Sequence, residues 1–137
     1  MLGLITNRTE GGFSMSGFTK LVQGDMASVE ERVRESLKER GFGVLTEIDV
    51  SATLKAKINV DRSPLKILGA CNPTFANKAL EADPDMALVM PCNVVLSQEP
   101  DGILVRAIDP ASLVSTEDMK LLAKEAGDAL SEAVSVL

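Results

Sequence analysis

The two cysteines carry the side chains of this sequence that are best suited to chemistry. Cys71 is followed by Asn72 and then Pro, whereas Cys92 is preceded by Pro and followed by Asn93. Thiols exchange between dithiol and disulfide and bind soft metal ions, and the amides of Asn72 and Asn93 can supply flanking hydrogen bonds. These four residues are therefore the candidate binding residues of the chain.

The rest of the composition restricts what the thiols can do. The chain has no histidine, which removes the commonest metal ligand and the usual general base, and with it any nucleophile activated by histidine within one chain. Two cysteines without a Cys-x-x-Cys spacing are a weak metal signal, because a closed zinc site takes four ligands. Two interpretations stay open: ordinary core cysteines, or a thiol-dependent redox or soft-metal site formed by Cys71 and Cys92.

Carboxylates offer a third chemistry. Glu47 and Asp49 alternate along a predicted strand, where they could face one side as a pair, although a solvated strand edge explains them more simply. Acid–base catalysis needs carboxylates of raised pKa in a cleft, and no feature of the sequence points to one. The sequence thus predicts no catalytic residue, no cofactor and no firm metal site, and it favours a binding protein over an enzyme.

The overall charge and hydropathy exclude several partners. A net charge of −6 and an isoelectric point near 4.7 argue against nucleic acid, whose phosphates require a basic surface. The sequence contains no apolar run close to the ~20 residues of a membrane span, and its start lacks the features of a signal peptide. We therefore expect a cytoplasmic protein with reduced thiols and with neither a nucleic-acid nor a membrane partner.

The periodicity of the sequence predicts the elements that must position the cysteines. Residues 1–15 are interpreted as a poorly ordered leader and residues 16–137 as a single domain. Ser28 with Glu31, and Ser115 with Asp118, predict the starts of the first and last helices. The predicted fold class is α+β, a mixed sheet of about five strands with helices packed on it, in the order β-α-β-(α)-β-α-β-β-α; its strands are 18–22, 42–48, 65–70, 86–96 and 103–108.

Within this order, the strand, helix and strand over residues 65–96 predict how the cysteines meet. Such a unit normally makes its two strands parallel, whereas the hairpin that follows is antiparallel, so that the sheet is mixed. In level parallel strands, Cys71 and Cys92 would share one height and one face, with their Cα atoms ~5 Å apart. Asn72 and Pro73 would begin the intervening helix, whose N-terminus would stabilise a Cys71 thiolate.

Two segments of the sequence also carry a family resemblance. ILGACNP at 67–73 and PCNVV at 91–95 resemble the bacterial and archaeal family called domain of unknown function 302, over roughly residues 18–137. The resemblance implies a compact α+β domain with a mixed sheet, commonly a dimer, and it implies no activity, substrate or cofactor. The sequence thus predicts a small cytoplasmic domain that binds a small ligand or a partner, as a homodimer; the alternative is a thiol-dependent redox or soft-metal-binding protein.

Overall fold

The structure, a computed structural model, describes residues 17–137. The leader predicted over residues 1–15 lies outside the described residues. The elements, in chain order, are β1 (Gly17–Val22), α1 (Met26–Glu39), β2 (Gly43–Asp49), α2 (Val50–Ile58), β3 (Leu65–Cys71), α3 (Pro73–Ala82), a first 3₁₀ segment (Pro84–Val89), β4 (Cys92–Glu99), β5 (Gly102–Ile108), a second 3₁₀ segment (Pro110–Leu113) and α4 (Glu117–Ser135).

The five strands form one sheet in the order β1-β5-β4-β3-β2, and every neighbouring pair is antiparallel. The α+β class, the five strands and the β4–β5 hairpin are confirmed, whereas the predicted parallel pairing of β3 with β4, and with it the mixed sheet, is wrong. The first half of the predicted strand 86–96 instead forms the first 3₁₀ segment, which the Asp83 side chain caps by accepting from the backbone N–H of Asp85. The chain consequently re-enters the sheet where β3 leaves it, with Cys92 opposite Ala70.

Side-chain caps fix where the first and last helices begin. The carboxylate of Asp25 accepts a hydrogen bond of 2.8 Å from the Ser28 N–H, so that α1 starts three residues before the predicted capping box. In α4 the cap is Thr116, whose hydroxyl accepts from the Met119 N–H at 3.3 Å, and the predicted start at Ser115 is wrong by one residue. A cap is chosen by backbone geometry as well as by side-chain type, which explains both small displacements.

The core lies between one face of the sheet and the helices α1 and α4. Its fully buried side chains are aliphatic apart from one phenylalanine, and they include Val29, Leu37, Phe42, Leu68, Val94, Leu96, Val105 and Leu130. The buried hydroxyl of Ser36 on α1 donates a 2.6 Å hydrogen bond to the Ala133 carbonyl on α4, which ties the two helices together. Helix α4 of this layer also forms one wall of the site described next.

The β2 edge of the sheet is much less covered. The sequence of residues 51–59 predicts a short amphipathic helix with Leu54 and Ile58 facing inward. In the structure no residue of α2 is buried, and Ile58 keeps 63% of its surface exposed, so that this prediction is wrong. Helix α2 only links β2 to β3 at the edge of the sheet, where little of the core is within its reach. Among the described residues, no helix has the length and hydropathy to cross a membrane.

Candidate functional site

A pocket opens at the end of the sheet where β3 ends and β4 begins, and we call it the cysteine pocket. Besides these strand ends, it is walled by α3, both 3₁₀ segments and α4, with Phe42, Cys71, Phe75 and Cys92 among its lining residues. Its cavity volume is about 80 Å³, and the pocket is partly open to solvent. Among residues 17–137, no charged side chain lines it.

The junction of β3 and α3 is built by the sequence Cys71-Asn72-Pro73. The Asn72 side-chain oxygen accepts hydrogen bonds from the backbone N–H groups of Thr74 at 3.0 Å and Phe75 at 3.2 Å. These bonds satisfy two of the free donors at the start of α3, and Pro73 occupies the first turn, where it loses no hydrogen bond. The predicted helix start is confirmed, and the oxygen of Asn72 is occupied by the cap.

Asn72 also requires a glycine beside it. Gly41 has a φ of +83°, and a Cβ atom there would lie 2.8 Å from the Asn72 amide nitrogen. A side chain at position 41 would therefore be strained by its backbone conformation and would also displace the cap. The glycine at position 41 therefore allows the turn that ends α1 to lie close to the turn that begins α3.

The register of the sheet corrects the predicted placement of the cysteines. Cys92 pairs with Ala70, and Cys71 lies one residue further on in β3, so that the level, same-facing arrangement is wrong. Successive residues of a strand point to opposite faces. Because Cys71 follows Ala70, which is the partner of Cys92, the two cysteines are offset by one residue in the antiparallel pairing. Cys71 is also the last residue of β3, directly before the turn into α3, and both cysteines line the pocket as partly buried free thiols.

The environment of Cys92 suppresses its ionisation. Burial, together with the negative charge that Cys71 would carry, raises the pKa of the Cys92 thiol to about 11. At neutral pH this side chain is accordingly a neutral thiol, and a neutral thiol is a poor nucleophile. The burial and the raised pKa of Cys92 therefore argue against a role for this thiol in rapid disulfide exchange.

Asn93 does not belong to the pocket. It pairs with Gly69 on the face of the sheet opposite to the core, and its side chain is exposed. The alternation of a strand explains this position, because Cys92 points toward the helices. Of the four candidate residues, the fold brings Cys71, Asn72 and Cys92 together and leaves Asn93 outside.

Methionine is the feature of the pocket that the sequence interpretation missed. Met86, Met90 and Met119 all line it. The sequence pattern places Met86 and Met90 in the predicted strand 86–96 and Met119 on the inner face of the last helix, and it does not bring the three together. A signal was available in the sequence, because Met86 and Met90 lie just before Cys92 in a segment that Pro91 prevents from being a regular strand.

The carboxylates of β2 have structural roles. Glu47 forms ion pairs with Arg34 and, at 3.5 Å, with Lys66, which also contacts Glu30 at 2.8 Å. Asp49 caps α2 by accepting from the Ala52 N–H at 2.9 Å, and this bond lowers the pKa of Asp49. Neither carboxyl group lies among the lining residues of the cysteine pocket. Across residues 17–137, no cluster of three or more His, Cys, Asp or Glu residues is placed to hold a metal ion.

Comparison with known proteins identifies the family of the chain and a solved structure that is similar to it. The profile of the family described as "Domain of unknown function DUF302" matches residues 18–137. The crystal structure of an uncharacterized conserved DUF302 protein from Bacillus stearothermophilus is similar, with a TM-score of 0.82 and 28% sequence identity over 89% of this chain and 98% of that one. The comparison with curated proteins gave no match.

Proposed function

Because the chain belongs to the DUF302 family, which is defined by a domain of unknown function, we propose its function from its own site: it binds a small, uncharged, apolar ligand in the cysteine pocket. The observation that carries this proposal is a pocket of 19 lining residues without a charged side chain. Ligand sites in proteins are concave and mostly apolar, with a few polar groups that orient the ligand. Here those groups are the thiols of Cys71 and Cys92.

The size of the pocket limits the ligand. A dry apolar cavity of roughly 150 Å³ holds benzene, and the space in the cysteine pocket, about 80 Å³, is smaller. A short aliphatic chain or one edge of an aromatic ring therefore fits inside, while the rest of the ligand occupies the open groove. Burying such a group contributes about 0.8 kcal/mol for each CH₂ removed from water.

Filling the pocket from α3 tests the proposal. We expect Ala76→Phe, at a half-buried lining position, to weaken the binding of a neutral fluorescent probe, N-phenyl-1-naphthylamine, by about tenfold or more, the effect of losing two apolar groups. Fluorescence titration measures the affinity. Ala82→Phe, at the exposed end of the same helix, is the matched control and should bind like the wild type. A wild-type protein that does not bind the probe, or an Ala76→Phe variant that binds it normally, contradicts the proposal.

We further propose that the protein is a homodimer joined along β2. Within residues 17–137 this strand is an edge of the sheet that pairs with β3 alone, so that its other side offers backbone donors and acceptors to a further strand. Apolar side chains surround that edge: Leu45 is 69% and Ile48 50% exposed, and Val60 lies nearby in sequence and is also exposed. Antiparallel pairing of β2 with its copy is self-complementary, as a twofold interface requires, and it continues the antiparallel sheet.

A charge placed on this edge should separate the protomers. Ile48→Glu brings two like charges to the twofold interface and removes two apolar contacts, and we expect the dimer dissociation constant to rise by about 100-fold, as for the loss of 2–3 kcal/mol. Sedimentation equilibrium measures it. Leu121→Glu changes a leucine on α4 that is 69% exposed, against 50% for Ile48, and should leave the dimer intact. A wild-type protein that is still monomeric at ~100 μM, or an Ile48→Glu variant that dimerises as tightly as the wild type, would refute the β2 interface.

The cytoplasmic location and the reduced state of the thiols stay predictions. A cytoplasmic location would support the proposed ligand site, because a reducing compartment keeps Cys71 and Cys92 as free thiols. The redox alternative gains no support from the raised pKa of Cys92. The soft-metal alternative depends on the methionines that line the cysteine pocket.

A further inference from the structure

Sulfur is concentrated in the cysteine pocket. Both cysteines of the chain and three of its six methionines, Met86, Met90 and Met119, line this one site. The only other side chain there with a nitrogen or an oxygen is that of Asn72, and its oxygen is engaged in capping α3. The donor atoms that the pocket offers from its side chains are therefore mainly thiols and thioethers.

This donor set is selective for one class of ion. Thiolate and thioether ligands favour monovalent copper, whereas magnesium and calcium need oxygen donors. A structural zinc site takes four nitrogen or sulfur ligands, commonly thiolates and imidazoles, and the pocket has two thiols and no imidazole. Its apolar walls limit the access of water, as the surroundings of a soft metal site do.

The start of α3 adds an electrostatic contribution. Cys71 immediately precedes the Asn72 cap of this ten-residue helix. The N-terminus of a helix carries the positive end of its dipole and stabilises a neighbouring negative charge. A site with two thiolates and one monovalent ion has a net charge of −1, which the dipole partly balances in surroundings without a charged side chain.

We infer that the cysteine pocket binds one monovalent copper ion through the thiolates of Cys71 and Cys92, with a methionine thioether of the same pocket as a further soft ligand. Binding replaces the two thiol protons, which leave to solvent, and copper stays in the +1 state throughout, so that no oxidant or reductant takes part. The inference goes beyond the proposed function, because it depends on the sulfur atoms of the pocket and not on a ligand in its groove.

Copper competition tests the inference on the full-length reduced protein under anaerobic conditions. Bathocuproine disulfonate holds Cu(I) in a coloured complex, and the loss of its colour gives the stoichiometry and the affinity. We expect one copper per chain. Removing a group that only hydrogen-bonds to a metal ligand weakens metal affinity by about 10- to 100-fold, so that losing a direct ligand in Cys71→Ser or Cys92→Ser should cost about 100-fold or more. Circular dichroism establishes that the variants are folded.

Methionine variants keep the test decisive if a serine variant does not fold. Met119→Leu preserves the volume of a buried side chain. Combined with Met86→Leu and Met90→Leu, it should weaken Cu(I) binding by about tenfold, the lower end of the effects of removing supporting groups. Met26→Leu is the matched control, since Met26 lies on α1 and does not line the pocket; it should bind copper like the wild type.

The pH dependence separates thiolate ligation from binding elsewhere. Because binding releases two thiol protons, the apparent affinity should rise with pH by as much as about 100-fold for each pH unit, and among residues 17–137 no other titratable side chain lines the pocket. Copper affinity that is independent of pH, or that survives Cys71→Ser/Cys92→Ser, overturns the inference. If wild-type protein binds N-phenyl-1-naphthylamine but not copper, only this inference fails; if it binds copper but not the probe, only the proposed function does.

Discussion

Replacing Gly69 with alanine is expected to destabilise the protein by about 3 kcal/mol, the upper part of the range for overpacking a close-packed site. A Cβ atom at Gly69 would lie 2.6 Å from Cγ of Pro91 and would also overlap the hydroxyl of Thr46. The threonine can rotate, but the proline ring is rigid and belongs to the backbone that leads into Cys92. Relief of the contact therefore requires a movement of the chain at the start of β4.

Urea denaturation followed by circular dichroism measures this change, with the slope of the transition checked for constancy. Gly43→Ala is a matched control, because Gly43 is also a strand glycine and a Cβ atom there meets nothing within 4 Å. The control should unfold within about 0.5 kcal/mol of the wild type, as surface substitutions usually do. Equal stability of the two variants would show that β4 accommodates the extra methyl group without cost.

The Gly69 substitution also tests how the pocket responds to a change on the opposite face of the sheet. Gly69 pairs with Asn93, and both residues face away from the core. Their neighbours in the two strands, Ala70 and Cys92, also pair with each other and line the pocket. A displacement of Pro91 is therefore transmitted to the pocket wall through the peptide bond into Cys92. We expect weakened binding of apolar probes in Gly69→Ala even at temperatures where the variant is fully folded.

The sequence was most informative where the signal was local. The cap of α3 follows from Asn72 and Pro73 alone, because a helix start depends on the few residues that satisfy its free N–H groups. The β4–β5 hairpin follows equally from Pro100-Asp101 between two apolar runs. The element order and the α+β class were accessible for the same reason, since each element is encoded within a short window of sequence.

The direction of β4 depended on a competition that the pattern of apolar residues did not resolve. Residues 84–91 are apolar enough for a strand, but Pro84 and the Asp83 cap stabilise a 3₁₀ turn, and Pro91 cannot donate to a sheet. With those residues in a 3₁₀ segment beside the end of β3, the chain enters β4 at that same end, and β4 runs antiparallel to β3. The register of the cysteines changes with it. The pocket followed from this tertiary arrangement, and its methionines come from three separate elements or connections, which no single window of sequence reveals.

Truncation of Phe42 is the second change from which we expect a large effect. Phe42 is 2% exposed and lines the cysteine pocket, where its ring centroid lies 6.3 Å from that of Phe75. Phe42→Ala should destabilise the protein by about 3–5 kcal/mol, because it removes a buried ring and leaves a cavity. Phe75→Ala is the matched variant: its ring is only half-buried, so that less apolar surface returns to water, and we expect a loss of about 1–2 kcal/mol.

The cavity left by Phe42 joins the pocket, which makes the variant a test of the site as well as of the core. A planar apolar compound such as indole should bind Phe42→Ala more tightly than it binds the wild type, and it should restore part of the lost stability by an amount that rises with the logarithm of its free concentration once binding is saturated. Thermal unfolding at increasing indole concentration measures this restoration. If Phe42→Ala loses no more stability than Phe75→Ala, the ring is not the support of the pocket that its burial indicates. If indole binds both proteins equally, the ring of Phe42 does not set the size of the ligand.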